Sequence, residues 1–136
     1  MPGGSGDETF RSLVDHVALP LMAAWEPQLV LVSAGFDAHR LDPLASCRVS
    51  ERGYAAITAS LRRACGELGV PLGLLLEGGY SLEALTDSVA ALMPVLVAES
   101  PPAATDAVAL HPLAEAAGRR LAPWWPGVGA AQAAVR

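Results

Sequence analysis

Two short polar clusters interrupt an otherwise apolar stretch of this 136-residue chain, Ser33-Ala-Gly-Phe-Asp37-Ala-His39 and Glu77-Gly78-Gly79-Tyr80. Asp37 follows a glycine turn, where a carboxylate is well placed to give a divalent cation an oxygen ligand, with His39 as a nearby nitrogen donor and Asp42 as a further oxygen. A catalytic zinc needs three protein ligands, and these residues are too close in sequence to supply a dependable set alone. The plainer reading has Asp37 capping a turn and His39 in solvent. In the second cluster Gly78 and Gly79 let the backbone approach a ligand closely, and Tyr80 can offer its hydroxyl to a developing oxyanion. The plainer reading there is a glycine turn before a helix, with the tyrosine on the surface. A phosphate cradle is a third possibility, but no Walker lysine follows and the G-x-G-x-x-G pattern is absent.

The segments around these clusters dictate how they are held. Ser5-Gly-Asp-Glu8 reads as a capping box opening a helix, in which Phe10, Leu13, Val14, Val17, Leu21, Met22 and Trp25 form one apolar stripe ending near Pro27. Pro20 should kink or interrupt its last turn. Gln28 to Ser33 is a short run apolar on both faces, the pattern of a buried parallel strand. Ser50 can cap a second helix that carries Tyr54, Ile57, Leu61 and Leu68 and stops at Gly69. Leu72 to Leu76 is a second uniformly apolar strand, and Ser81 can cap a third helix with Leu82, Leu85, Val89, Leu92, Met93 and Leu96 inward.

This order of helix, strand, helix, strand, helix predicts an α/β unit with a parallel sheet built on a β-α-β crossover. In such sheets ligands bind at the carboxyl ends of the strands, which is where both polar clusters fall. Two strands without a polar face need covering on both sides and flanking at both edges, so the sheet reads as incomplete. Its missing strands lie on another chain, or the polypeptide is a piece of a longer protein. Residues 1–98 form the folded part in this reading. Residues 99–136 form a Pro/Ala-rich tail with one short helix around Leu113 to Leu121, then Trp124-Trp125 and an alanine- and glycine-rich end without clear periodicity.

Composition narrows the function classes. With 52% hydrophobic and 17% charged residues the chain belongs with folded globular proteins rather than disordered ones. A net charge of −5 and a pI near 5.0 give no basic footprint for a nucleic-acid backbone or an anionic membrane. Cys47 and Cys65 form no Cys-x-x-Cys or Cys/His cluster and read as free thiols. The N-terminal residues show no signal-peptide pattern, and no uncharged run reaches the ~20 residues of a membrane span, so a cytoplasmic location is the expectation.

Taken together and in order, Pro27-Gln-Leu-Val-Leu-Val-Ser-Ala-Gly-Phe-Asp-Ala-His39, Asp42-Pro43-Leu44, Gly53-Tyr54 and Leu76-Glu-Gly-Gly-Tyr-Ser-Leu82 resemble the bacterial histone deacetylase-like amidohydrolases of the acetoin utilisation type, from roughly Gly3 to Val97. The resemblance implies the C-terminal portion of the three-layer arginase/deacetylase fold, without its N-terminal strands. It implies a zinc (Zn2+) cofactor with Asp37 as one ligand, Tyr80 as the catalytic residue that polarises the acetyl carbonyl, and Gly78 and Gly79 lining the substrate. His39 matches a family position that is not a metal ligand.

The family's paired histidines and its Asp-x-His segment with the other two zinc ligands lie upstream of the matched region. Neither His16, in the first helix, nor His111, in the tail, lies in a matching motif. The implied reaction is hydrolysis of acetyl-lysine or a related acetylated amine, and the chain is expected to be inactive without an N-terminal deacetylase half. The contrasting expectation is a non-catalytic fragment that binds a partner through its open sheet. A sugar- or nucleotide-binding α/β module fits less well, because it leaves Asp37 and Tyr80 unexplained together and offers a phosphate little positive charge.

Overall fold

The computed structural model describes residues 1–103, 107–126 and 128. The alanine- and glycine-rich end expected to lack periodicity falls almost wholly outside them. Helix α1 (Asp7–Leu13) runs through a π-helical turn (Val14–Ala18) into helix α2 (Leu19–Trp25). Strand β1 (Val30–Ala34), helix α3 (Glu51–Leu68), strand β2 (Leu72–Leu76) and helix α4 (Leu82–Val97) follow, and helix α5 (Pro112–Leu121) closes the order.

The first helix differs from its sequence reading in two respects. Its N-cap is Gly6, without a side-chain cap, because the Ser5 hydroxyl donates instead to the Pro2 carbonyl at 2.7 Å; the capping box does not form. Pro20 does not interrupt the helix. The proline has no N–H to give the preceding turn, and the chain absorbs the defect by widening to π geometry over Val14–Ala18, a known way of accommodating an interrupted hydrogen-bond ladder. The helix stops at Glu26, in the left-handed region with φ 53°, where its N–H closes on the Met22 carbonyl at 3.1 Å.

Helix α3 is bounded by local chemistry at both ends. The Ser50 hydroxyl accepts the Gly53 N–H at 3.1 Å, and Gly69 closes the other end at φ 70°. Ser81 likewise caps α4 through the Ala84 N–H at 3.3 Å. A tie that the sequence did not reveal joins α1 to α3: the Asp7 carboxylate accepts the Ser50 N–H at 2.7 Å and the Ser50 hydroxyl at 2.6 Å. Gly53 is glycine for the same reason, since a β-carbon there would collide with that carboxylate.

Strands β1 and β2 pair in parallel, from Val30 opposite Leu72 to Ala34 opposite Leu76, and form a sheet of two strands among the described residues. Helix α3 packs against α1, α2, α4 and β2, and small side chains are buried on both α3 (Ala59, Ser60) and α4 (Ala84, Ser88). Much of the sheet is left uncovered: Leu31 is 61% exposed, and Leu29, Leu75 and Leu76 are also exposed. Uniformly apolar strands lying bare in this way are what an incomplete parallel sheet leaves behind.

Beyond residue 98, α5 docks on the first helix. His111 caps α5 by accepting the Leu113 N–H at Nδ1, its own N–H donates to the Ser12 hydroxyl at 2.8 Å, and its Nε2 faces the Thr9 hydroxyl at 3.3 Å. His16 reaches the Val108 carbonyl at 2.8 Å. Trp125 lies against Trp25 with ring centroids 5.9 Å apart, while Trp124 is exposed. Both cysteines are free thiols. Among the described residues no helix is long and apolar enough to cross a membrane.

Candidate active site

Because β1 and β2 are in-register neighbours, the segments leaving their carboxyl ends start side by side. The hydrogen bonding continues past the strands: the Glu77 N–H donates to the Ala34 carbonyl at 3.2 Å, and the Phe36 N–H to the Gly78 carbonyl at 2.8 Å. The two polar clusters are therefore zipped together. Phe36 itself is buried and packs on the Tyr54 ring of α3 at 4.8 Å between centroids, which anchors the first loop from below the site.

Asp37 lies against glycine on two sides. A β-carbon on Gly35 would stand 3.2 Å from its Oδ1, and one on Gly78 would stand 3.0 Å from its Oδ2. Gly79 has φ 126°, a conformation that L side chains rarely adopt, and a β-carbon there would sit 3.0 Å from that of Phe36. The two glycines thus bring the second loop up to the Asp37 carboxylate. Burial, and then the negative charges of Asp37 and Asp42, push the Tyr54 phenol above the ordinary tyrosine range, so it stays neutral beside them.

Tyr80 lies on the second loop and is 60% exposed. Its backbone is held from the first loop, where Asp42 Oδ2 accepts the Tyr80 N–H at 2.8 Å and Oδ1 accepts the N–H groups of Leu44 at 2.9 Å and Ala45 at 3.3 Å. Burial acts to raise the Asp42 carboxyl, but the three N–H donors, with His39 nearby, outweigh it and hold the group below the usual carboxylate range.

His39 is not in solvent. It is 1% exposed and sits opposite Val49 in an isolated bridge between the two ends of the first loop. Its Nδ1 accepts the Leu41 N–H at 3.1 Å, which leaves the proton on Nε2, facing Glu51 Oε2 at 3.4 Å. Arg40 donates to the same Glu51 oxygen at 2.7 Å, and this bond, foremost, holds the Glu51 carboxyl down to about 2. His39 is thus a strut of the loop, with both ring nitrogens engaged.

These assignments decide what a metal would find. Asp42 is committed to backbone N–H groups and His39 to the loop, which leaves Asp37 as the donor available from the first cluster. Among the described residues no three His, Cys, Asp or Glu side chains converge into a group that could hold a metal ion. The donor set of this chain does not by itself fit a catalytic zinc, and no reaction step through the metal follows from it.

In sequence and in fold the chain matches known proteins. Residues 1–96 match the model of the histone deacetylase domain, and the chain belongs to that family. It is 43% identical over 99 residues to "Histone deacetylase 15" of Arabidopsis thaliana, covering 73% of this chain and 17% of that protein. It is 44% identical over 91 residues to "Histone deacetylase 10, chloroplastic" of Oryza sativa subsp. japonica, covering 66% of this chain and 20% of that one. Among solved structures, the crystal structure of the HDA15 HD domain superposes with a TM-score of 0.73 at 37% identity, covering 93% of this chain and 34% of that chain. The chain therefore spans about a fifth of the length of these curated relatives and is an α/β piece whose two-stranded parallel sheet matches part of the deacetylase domain.

Proposed function

We propose that this chain contributes one zinc ligand, Asp37, and one catalytic residue, Tyr80, to a zinc-dependent deacetylase that hydrolyses acetyl-lysine or a related acetylated amine. The remaining histidines and the two other zinc ligands come from the part of the domain that these 136 residues do not match. The observation that carries the proposal is the contact of the Asp37 carboxylate with Gly78, two residues before Tyr80, across loops zipped at the ends of parallel strands. In this reading the Tyr80 O–H donates to the oxyanion that forms on the acyl oxygen, and the backbone of Gly78 and Gly79 lies along the acyl group. The bacterial amidohydrolase-like subtype belongs to the proposal, on the motifs from Pro27 to Leu82.

A second reading, a non-catalytic piece that engages a partner, draws support from the bare apolar sheet at Leu31, Leu75 and Leu76. The same surface serves the first reading as the seat of the missing deacetylase half. Hydrolysis of a fluorogenic acetyl-lysine substrate by the chain, alone and combined with the N-terminal part of the domain, separates the two. The proposal expects activity in the combination only, abolished by Asp37→Ala and lowered about 10²–10³-fold by Tyr80→Phe, the usual cost of losing one oxyanion donor. Absence of activity in every combination supports the non-catalytic reading.

A further inference from the structure

The Tyr80 side chain is largely exposed, so little packing fixes where its phenol stands; what holds the residue is its backbone N–H, donated to Asp42 Oδ2 at 2.8 Å. We propose that Asp42 is the positioning residue for Tyr80, setting the reach of its phenol through this one bond to the Tyr80 N–H itself, without touching substrate. The kinetic part of this inference rests on the deacetylase reading; the structural part does not.

Asp42 is suited to the task because it is itself immobilised. It is 8% exposed, its N–H donates to the His39 carbonyl at 3.0 Å, and its Oδ1 is saturated by the Leu44 and Ala45 N–H groups of its own turn. His39 in turn is locked by Leu41, Glu51 and the bridge to Val49. The chain of contacts runs from the N-terminal turn of α3, through Glu51 and His39, to Asp42 and then to the Tyr80 backbone. A carboxylate is required at its end because both oxygens must accept: one serves the turn and the other serves Tyr80.

That requirement gives a specific test. In Asp42→Asn the amide oxygen can still satisfy Leu44 and Ala45, but the NH2 group then faces the Tyr80 N–H, donor against donor. Amide hydrogen exchange in the unmutated 136-residue chain should show the Tyr80 N–H protected despite its exposed side chain, and Asp42→Asn should remove that protection while the β1 and β2 amides keep theirs. In the chain combined with the N-terminal part of the domain, Asp42→Asn should lower kcat about tenfold or more with KM little changed. In a Tyr80→Phe background the same substitution should cost less than about twofold, because the group it positions is already gone.

An unprotected Tyr80 amide in the unmutated chain overturns the inference, and that measurement decides the matter if Asp42→Asn fails to fold. Losses that multiply in the double variant overturn it as well, since they mark a merely structural role. If no combination hydrolyses the substrate, the deacetylase reading falls while the exchange data still decide whether Asp42 holds Tyr80.

Discussion

The Asp37 carboxylate rests against the backbone of Gly78, with Oδ2 3.0 Å from where a β-carbon would stand. Gly78→Ala therefore requires the Asp37 carboxylate to give by a few tenths of an ångström, and costs about 1 kcal/mol where the carboxylate is held in place. Urea denaturation of Gly78→Ala, Asp37→Ala and the double variant checks this. The alanine at position 78 should be costly in the unmutated background and nearly harmless once Asp37 is truncated, the signature of a shared contact.

Gly79 is constrained by its backbone rather than by its neighbour's charge. Its φ is 126°, and the Phe36 β-carbon lies 3.0 Å from where a methyl group would stand, so Gly79→Ala should destabilise by about 1–3 kcal/mol in both the Asp37 and the Asp37→Ala backgrounds. The same denaturation series reads it, and the contrast with Gly78 distinguishes conformational strain from steric overlap.

Asp7 ties the first helix to the start of α3 through the Ser50 N–H at 2.7 Å and the Ser50 hydroxyl at 2.6 Å. Removing the carboxylate leaves both donors to find new partners, at a cost of about 1–3 kcal/mol for Asp7→Ala. Glu8, exposed in the same turn, serves as the control, and Glu8→Ala should change stability by less than about 0.5 kcal/mol in a thermal or urea melt.

Acid should weaken the loop through Glu51. Its carboxyl is held down to about 2 by the Arg40 side-chain hydrogen bond first of all, below its unfolded value of 4.5. A depressed carboxyl contributes stability that is present above the unfolded value and lost as pH falls from there towards 2. With the Glu51 side chain about a third exposed, solvent screening limits the contribution to about 1 kcal/mol. Stability measured from pH 6 down to pH 2, compared with Glu51→Gln, should show the unmutated chain losing its advantage over that interval.

The parts of the fold that were legible in the sequence are those set by local chemistry. Ser50, Ser81 and Gly69 bound their helices because capping needs only a hydroxyl or a glycine at the right offset. The two strands were legible as uniformly apolar runs, although the first begins at Val30 rather than Gln28. What escaped depends on partners distant in sequence. Ser5 failed as a capping box because its hydroxyl turned to Pro2, while Asp7 was recruited by Ser50. The burial of His39 depends on Glu51, Leu41 and Val49 closing around it, and the seating of α5 on Thr9 and Ser12 depends on His111. Asp42 had a readable signal, an Asp-Pro turn whose carboxylate accepts the next N–H groups, but its second oxygen and Tyr80 meet only once the strands pair. The roles proposed for Asp37 and Tyr80 rest on the family resemblance; residue spacing alone made them only candidates.

The most direct test is zinc stoichiometry of the chain combined with the N-terminal part of the deacetylase domain, with and without Asp37. The combination should bind zinc tightly and the chain alone little, and Asp37→Ala should lower the affinity of the combination about 10-fold or more, since it removes one of the three proposed protein ligands. Zinc bound equally well by the Asp37→Ala combination would contradict the assignment of Asp37 as a ligand, and with it the claim that these zipped loops form part of a deacetylase site.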